Sequence, residues 1–407
     1  MPKKLAYTSR PVTACQICGA KNLKSVLFVG FIPPVNTMPV VGTRAVESLM
    51  ARYGVEETAR TVAGYLDFTE RRFAAAISRL PPGTYHAEDY LDGNAQGERA
   101  LIRLAMTIEG GRLHFDFAGS APQLDCARNI PERALLATIY TVAKSLLDPD
   151  VPANAGYYRT ITTWAPAASV VGPRAPAAVG CRSISCGVLG DVVAKALSQA
   201  LPSKALAASG PHHLMVLAGR DPRTGTYFVN YETVAGGMGA RSNRDGMDAV
   251  RVHASGASNL PIEALEHAFP FRVDRYALWE GSGGAGEFRG GMGVIRDYRV
   301  LGDDIVVSLS SERQHVEAQG MNGGGAGACG QFVFNPGRPD ERVLPSAAAD
   351  VRLPRDSILR VCTPGTSRCT QRVLGTVSKL TCCLRCTDQV GTSTYLSTCT
   401  FFISTDS

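Results

Sequence analysis

No stretch of this 407-residue chain is apolar for long enough to span a bilayer, so no membrane partner is expected. The opening MPKKLAYTSRP carries two lysines with no apolar core behind them, so no secretory signal is expected in it. Charge is sparse at 19%, the net charge is only +6, and no block of Lys and Arg occurs, so no nucleic-acid partner is expected. No G-x-x-x-x-G-K-[ST] loop and no H-E-x-x-H pair is present, so the residues alone give neither a nucleotide cradle nor a zinc-protease helix. The middle of the chain is poor in cysteine. Between Cys18 and Cys362 lie only Cys126, Cys181, Cys186 and Cys329, a distribution that suits a reducing cytoplasm.

Glycine, in contrast, is abundant at 42 residues, and it is clustered. The stretch Tyr231–Val300 holds Gly236, Gly237 and Gly239, then a second group from Gly283 to Gly293. Glycine weakens regular structure, so clusters of it mark close backbone approach, positive φ or tight hairpins. One expectation is a single cleft lined by Gly236, Gly237, Gly239 and the second group, with Glu232 at its wall and Arg241, Asp245 and Asp248 at its mouth. The plainer expectation is a set of hairpin turns on different faces, with Glu232 paired to an arginine. Glu232 and His253 are the candidate catalytic groups, His253 because it follows Asp245 and Asp248 in a polar run. The adjacent pair His212-His213 follows Ser209-Gly210-Pro211 and is expected in a loop, in a structural or solvent-facing role.

The spacing of apolar residues over Thr43–Leu80 predicts two helices in a hairpin, broken at Gly54 and ended by Pro81-Pro82-Gly83. From there the period changes to two. Thr84–Leu91, Arg99–Glu109 and Arg112–Phe117 read as strands, the last two joined through Gly110-Gly111. Helices are predicted over Pro131–Leu147, capped by Asn129, over Asp191–Leu201, and over Pro261–Ala268, capped by Asn259. Strands are predicted at Thr226–Tyr231, Arg272–Leu278, Gly293–Val300 and Ile305–Ser311. The fold class is therefore α+β, rich in antiparallel strands, with an N-terminal helical hairpin and glycine-rich loops.

Several short signatures occur in one order. Phe115-Asp116-Phe117-Ala118-Gly119-Ser120 with Gln123 comes first, then PDVPANAGYYRTI, then YETVAGGMGAR, DGMD, NLPIEALE and SGGAGEFRGGMGVIRDYRV, then the loop Gly320–Gly330. Together, over about residues 44–365, they resemble the hydantoinase B/oxoprolinase family. The resemblance implies ATP-dependent opening of a cyclic amide, such as a hydantoin or 5-oxoproline. A hydantoinase A/oxoprolinase-type partner subunit would carry ATP, and the B-type subunit would carry a divalent metal. Acetone and acetophenone carboxylases use related subunits, so a carboxylase-type role remains open beside the hydrolytic one. The family's metal segment, worded like NDP…GTHLPD, has no counterpart in this sequence. No cofactor is therefore expected on this chain itself, and a catalytically inactive fragment or an assembly module is a further alternative. Where the family reads close to VHTH-x-x-NTRNTP, this chain has Arg251 at the first His and Gly256 at the first Asn.

The two ends read differently. Cys15-Gln-Ile-Cys18 is half of a zinc knuckle, since four ligands close a structural site. Residues 11–42 resemble the zinc-binding start of SAM-dependent C-methyltransferases, without a SAM-type glycine loop to follow. Residues 1–42 are expected to be a fused or foreign segment, 43–365 the family region, and 366–407 a Ser/Thr/Cys-rich tail outside the core.

Overall fold

Gly54, at φ 86°, separates α1 (Thr37–Tyr53) from α2 (Val55–Ile77) in the computed structural model, at the position where the apolar period breaks. The structure describes residues 37–93, 98–253, 255–256 and 258–367, all within the unit Met1–Gln371. The CxxC pair Cys15 and Cys18, and the tail from residue 368, lie outside the described residues.

Past the helices the chain runs through β1 (Gly83–Leu91), β2 (Ala100–Glu109) and β3 (Arg112–Asp116), then α3 (Glu132–Leu147), the single turn α4 (Ala155–Tyr158), β4 (Ile161–Trp164) and α5 (Arg182–Ala200). These build the first layer pair. The sheet has the order β1-β2-β3-β4, antiparallel except for the β3/β4 pair. Gly110 and Gly111, both at positive φ, make the tight β2–β3 turn that the sequence predicts. On β2 the alternate residues Ile102, Leu104, Met106 and Ile108 point into the core, as a period of two requires. They meet Phe73 and Ile77 of α2, Leu135 and Ile139 of α3, and Val188, Leu189, Val193 and Leu197 of α5. Each such side chain stabilises the fold by about 1.5–3 kcal/mol when fully buried. Helix α5 is buried on nearly every side, the pattern of a central helix.

The second half continues with β5 (His213–Arg220), β6 (Tyr227–Val234), α6 (Ile262–Ala268), β7 (Phe271–Leu278), β8 (Val294–Val300), β9 (Ile305–Ser310), β10 (Gln331–Phe334), β11 (Arg342–Leu344), β12 (Ala347–Leu353) and β13 (Ile358–Cys362). They form two antiparallel sheets, β11-β10-β13-β8-β7 and β12-β9-β5-β6. The sheets share one core that includes Met215, Leu217, Phe271, Tyr298, Val307, Phe332 and Val361.

The fold is thus α+β and rich in antiparallel strands, as expected. Several local expectations change. Neither Asn129 nor Asn259 caps a helix. The Asn129 amide donates to the carbonyls of Leu124, Cys126 and Ala178, and Asn259 donates to the Tyr276 hydroxyl; Pro131 and Pro261 stand at the N-cap positions of α3 and α6. Helix α5 starts nine residues before the predicted Asp191, because packing overrides the low helix propensity of Gly187 and Gly190. His213 opens β5 instead of lying in a loop, and both His212 and His213 are buried. The core also continues past Gly365, since Thr366 and Ser367 are fully buried. Among the described residues no helix is long and apolar enough to cross a membrane.

Candidate functional site

The two glycine groups converge. An ideal Cβ built on Gly237 would lie 2.5 Å from the Gly291 carbonyl oxygen, and one on Gly291 would lie 2.1 Å from that of Met247. Neither residue needs positive φ; close approach alone demands glycine there. The backbones are stitched in layers: Gly291 N donates to Met238 O, Thr366 N to Gly291 O, and Gly284 N to Thr366 O. Asp245 and Asp248 clamp these layers. Asp245 accepts from Arg289 N at 2.8 Å, and Asp248 accepts from Met292 N at 2.6 Å and from Arg289 Nη1 at 2.8 Å. Both carboxylates therefore face the glycine layer, and neither lines the cavity beside it.

That cavity has a volume of about 630 Å³. Met238 and Gly239 line it, with Arg241 and Arg244, Ser209, Lys204 and the segment Val250–His253. Gly236 and Gly237 sit behind that wall, packed on Gly210 and Gly291. Glu232 departs from the expected grouping. On β6 the residues Asn230, Glu232 and Val234 share the buried face, and Glu232 accepts from Arg296 Nη1 at 2.6 Å within the sandwich. It borders a separate cavity of about 460 Å³. The arginine partner is the plainer of the two sequence expectations for this residue.

Gly239 is the one glycine among the described residues that line this cavity, so the single cleft lined by both glycine groups is not formed, and His253 is the one candidate catalytic group on its wall. Its Nε2 donates to Asp191 Oδ1 at 2.8 Å, and Ser209 Oγ lies 3.5 Å from the same nitrogen. With Nε2 donating, Nδ1 carries the lone pair of the ring. The backbone at His253 is left-handed, φ 55°, and the ring lies on the bare face of Gly190. Asp191 is itself fixed: it accepts from Ser209 N at 3.0 Å and from Arg313 Nη2 at 3.0 Å. Arg313 is fully buried and also donates to Asp89 of β1 at 2.7 Å. A continuous buried network, Asp89–Arg313–Asp191–His253, thus runs from the first sheet to the cavity wall. The neighbouring Glu312 is also fully buried; burial pushes its carboxyl up to about 7, against the pull of Arg128. His253 also borders a third cavity, of about 330 Å³, with His212, whose ring burial holds down to about 3. Sequence reasoning missed Asp191 as a partner, because it lies 62 residues from His253 and nothing local links them.

Among the described residues no group of three or more His, Cys, Asp or Glu side chains is arranged to hold a metal ion.

The family model for hydantoinase B/oxoprolinase matches residues 39–367. An uncharacterized protein of Methanocaldococcus jannaschii is 32% identical over 80% of this chain and 56% of its own length. The B-type subunit of a putative D-/L-hydantoinase from a Pseudomonas species is 30% identical over 75% of this chain and 53% of its own. The chain thus spans about half the length of these relatives. Its fold is that of the ATP-dependent caprolactamase of Pseudomonas jessenii, with a TM-score of 0.70 at 23% identity over 82% of this chain and 59% of that one. On the family match, the chain belongs to the hydantoinase B/oxoprolinase family.

Proposed function

We propose that this chain contributes the hydrolytic side of an ATP-dependent cyclic amide hydrolase, working with an A-type subunit that consumes ATP. The observation that carries the reading is the Asp191-held imidazole of His253 in the wall of the cavity of about 630 Å³. An amide carbonyl resists water, and phosphorylation of its oxygen by the partner makes the carbon electrophilic. Water then adds to that carbon, and His253 takes its proton at Nδ1 while Asp191 steadies the imidazolium. The C–N bond of that adduct then breaks, the ring nitrogen leaving with the proton held by the His253 imidazolium, and a second water cleaves the resulting acyl phosphate to carboxylate and phosphate. Arg313 and the Ser209 amide fix Asp191, so the base is oriented before substrate arrives. The substrate is a cyclic amide that the cavity admits, and the five unpaired cysteines among the described residues accord with a cytoplasmic setting.

The test is co-expression with an A-type subunit and an assay of ring opening with ATP on 5-oxoproline, a hydantoin and caprolactam. ATP-dependent opening of one of them, lost in His253→Gln, supports the reading. A complex that forms yet opens none of them refutes it. A purely assembling role is favoured by one observation: α1 and α2 expose Val46, Leu49, Tyr53, Val62, Tyr65 and Phe68. In that case the complex forms and His253→Gln changes nothing.

A further inference from the structure

Arg241, Arg244, Arg251 and Lys204 all line the cavity of His253, and among the described residues no aspartate or glutamate does. The fully buried arginines elsewhere each face an acid: Arg128 faces Glu312, Arg296 faces Glu232, and Arg313 faces Asp89 and Asp191. Arg241 and Arg251 are half-buried and have no carboxylate partner among the described residues. Arg241 Nη2 reaches only the Asp245 carbonyl, at 3.4 Å, and Arg251 Nη1 donates to the Thr233 hydroxyl. The Nε of each is enclosed without an acceptor. Burial pushes both guanidinium groups down from their ordinary value, for Arg241 with the neighbouring Arg244 adding to it and for Arg251 opposed only by the Tyr231 hydroxyl, and no carboxylate offsets it. Taking a cation out of water without a counter-ion is costly, and a planar guanidinium is well shaped to receive an oxyanion on two parallel N–H groups.

We propose that this cavity binds an oxyanion of its ligand, a carboxylate or a phosphate group, on Arg241 and Arg251, with the exposed Lys204 and Arg244 drawing it in. The inference deepens the reading of the cavity as a substrate site and rests on it. A carboxylate would be a substituent of the cyclic amide itself. A phosphate would belong to the activated amide handed over by the ATP-consuming partner. Either way the anion and His253 face the same space, so the charge that anchors the ligand also sets where its carbonyl lies.

The experiment reads binding alone, without ATP or partner, so its failure is distinct from a failure of hydrolysis. The full chain is titrated calorimetrically with sodium phosphate and with sodium acetate at constant ionic strength. Arg241→Gln and Arg251→Gln are compared with Arg355→Gln, a surface arginine paired with Asp303. Saturable binding of at least one anion is expected, weakened about tenfold or more in Arg241→Gln or Arg251→Gln and unchanged in Arg355→Gln. Tighter binding of phosphate assigns the site to a phosphoryl group, and tighter binding of acetate to a carboxylate. Should a variant fail to fold, the melting temperature of the wild-type chain in phosphate or acetate against chloride decides, a specific rise supporting the site. No saturable binding of either anion with no such rise, or wild-type affinity in both cavity variants, overturns it.

Discussion

His253 and Gly190 are in direct contact: the ideal Cβ of an alanine at 190 would lie 2.7 Å from the His253 ring carbon Cγ. The glycine precedes Asp191 on α5, so one turn of helix supplies both the seat of the imidazole and its hydrogen-bond acceptor. The seat and the acceptor of the ring are therefore neighbours in sequence.

Gly190→Ala separates helix propensity from site geometry. In a helix interior alanine is favoured over glycine by about 1 kcal/mol, yet here its methyl group displaces the ring. The expected outcome is a small change in melting temperature together with loss of the His253–Asp191 bond. Nitrogen-15 shifts of the imidazole check this, and an unchanged ring signal would sink the claim.

His253→Gln is expected to lower turnover of the reconstituted assembly by about 10²–10⁴-fold, the range for loss of a general base, with little loss of stability. Asp191→Asn is expected to lower both. Its carboxylate also neutralises Arg313, and stripping a partner from a buried ion pair costs about 3–5 kcal/mol. Turnover and thermal melting, measured side by side, distinguish the two variants.

How far the site could be read from sequence differs by residue. The glycine groups were legible, because glycine at that density has few purposes other than backbone contact, and Gly237 and Gly291 do touch. The cleft membership of Glu232 was not. Period-two alternation on β6 puts it on the same face as Val234, inside the sandwich, and its partner Arg296 lies 64 residues away on β8. His253 was visible as a candidate, but its acceptor was not, because Asp191 lies 62 residues away and no local pattern links the two. The strands β10, β11 and β13 are only three to five residues long, so their periods were too brief to register. The α+β class survived these misses because the long periodic segments α2, β1 and β2 carry it.

Gly237→Ala is expected to destabilise the fold by about 1–3 kcal/mol, since both sides of the clash are backbone and cannot rotate away. Gly64→Ala, in α2 with nothing within 4 Å of its ideal Cβ, is expected to stabilise by up to about 1 kcal/mol. Chemical denaturation of both variants checks the contrast. Equal effects would mean that the glycine layer is looser than the structure shows.

Buried titrating groups give the stability a pH profile with opposing arms. Burial holds the rings of His212 and His213 down to about 3, from an ordinary 6.5. A depressed base favours the neutral form in the fold, so its contribution is complete above pH 6.5 and is lost as pH falls toward 3. His213 packs on Phe332 with both ring nitrogens unpartnered. His213→Leu is therefore expected to flatten the acid side of the profile, measured as melting temperature between pH 4 and pH 7.

Glu312 sets the other arm. Its carboxyl is raised from 4.5 to about 7 by burial, so the protonated form is the one the fold prefers. The stabilisation is complete below pH 4.5 and is lost as pH rises through 7, with a slope of at most about 1.4 kcal/mol per pH unit. Glu312 Oε2 accepts from Asp92 N at 2.7 Å, and Oε1 lies 3.6 Å from Arg128 Nε without a hydrogen bond. A glutamine keeps the acceptor and removes the ionisation. Glu312→Gln is thus expected to match the wild type near pH 4.5 in stability and to exceed it at pH 7.5, since the pull of Arg128 is already outweighed by burial in the raised value. Denaturation at the two pH values checks this, and a variant weaker than the wild type at pH 7.5 would show instead that Glu312 serves the fold as an ion.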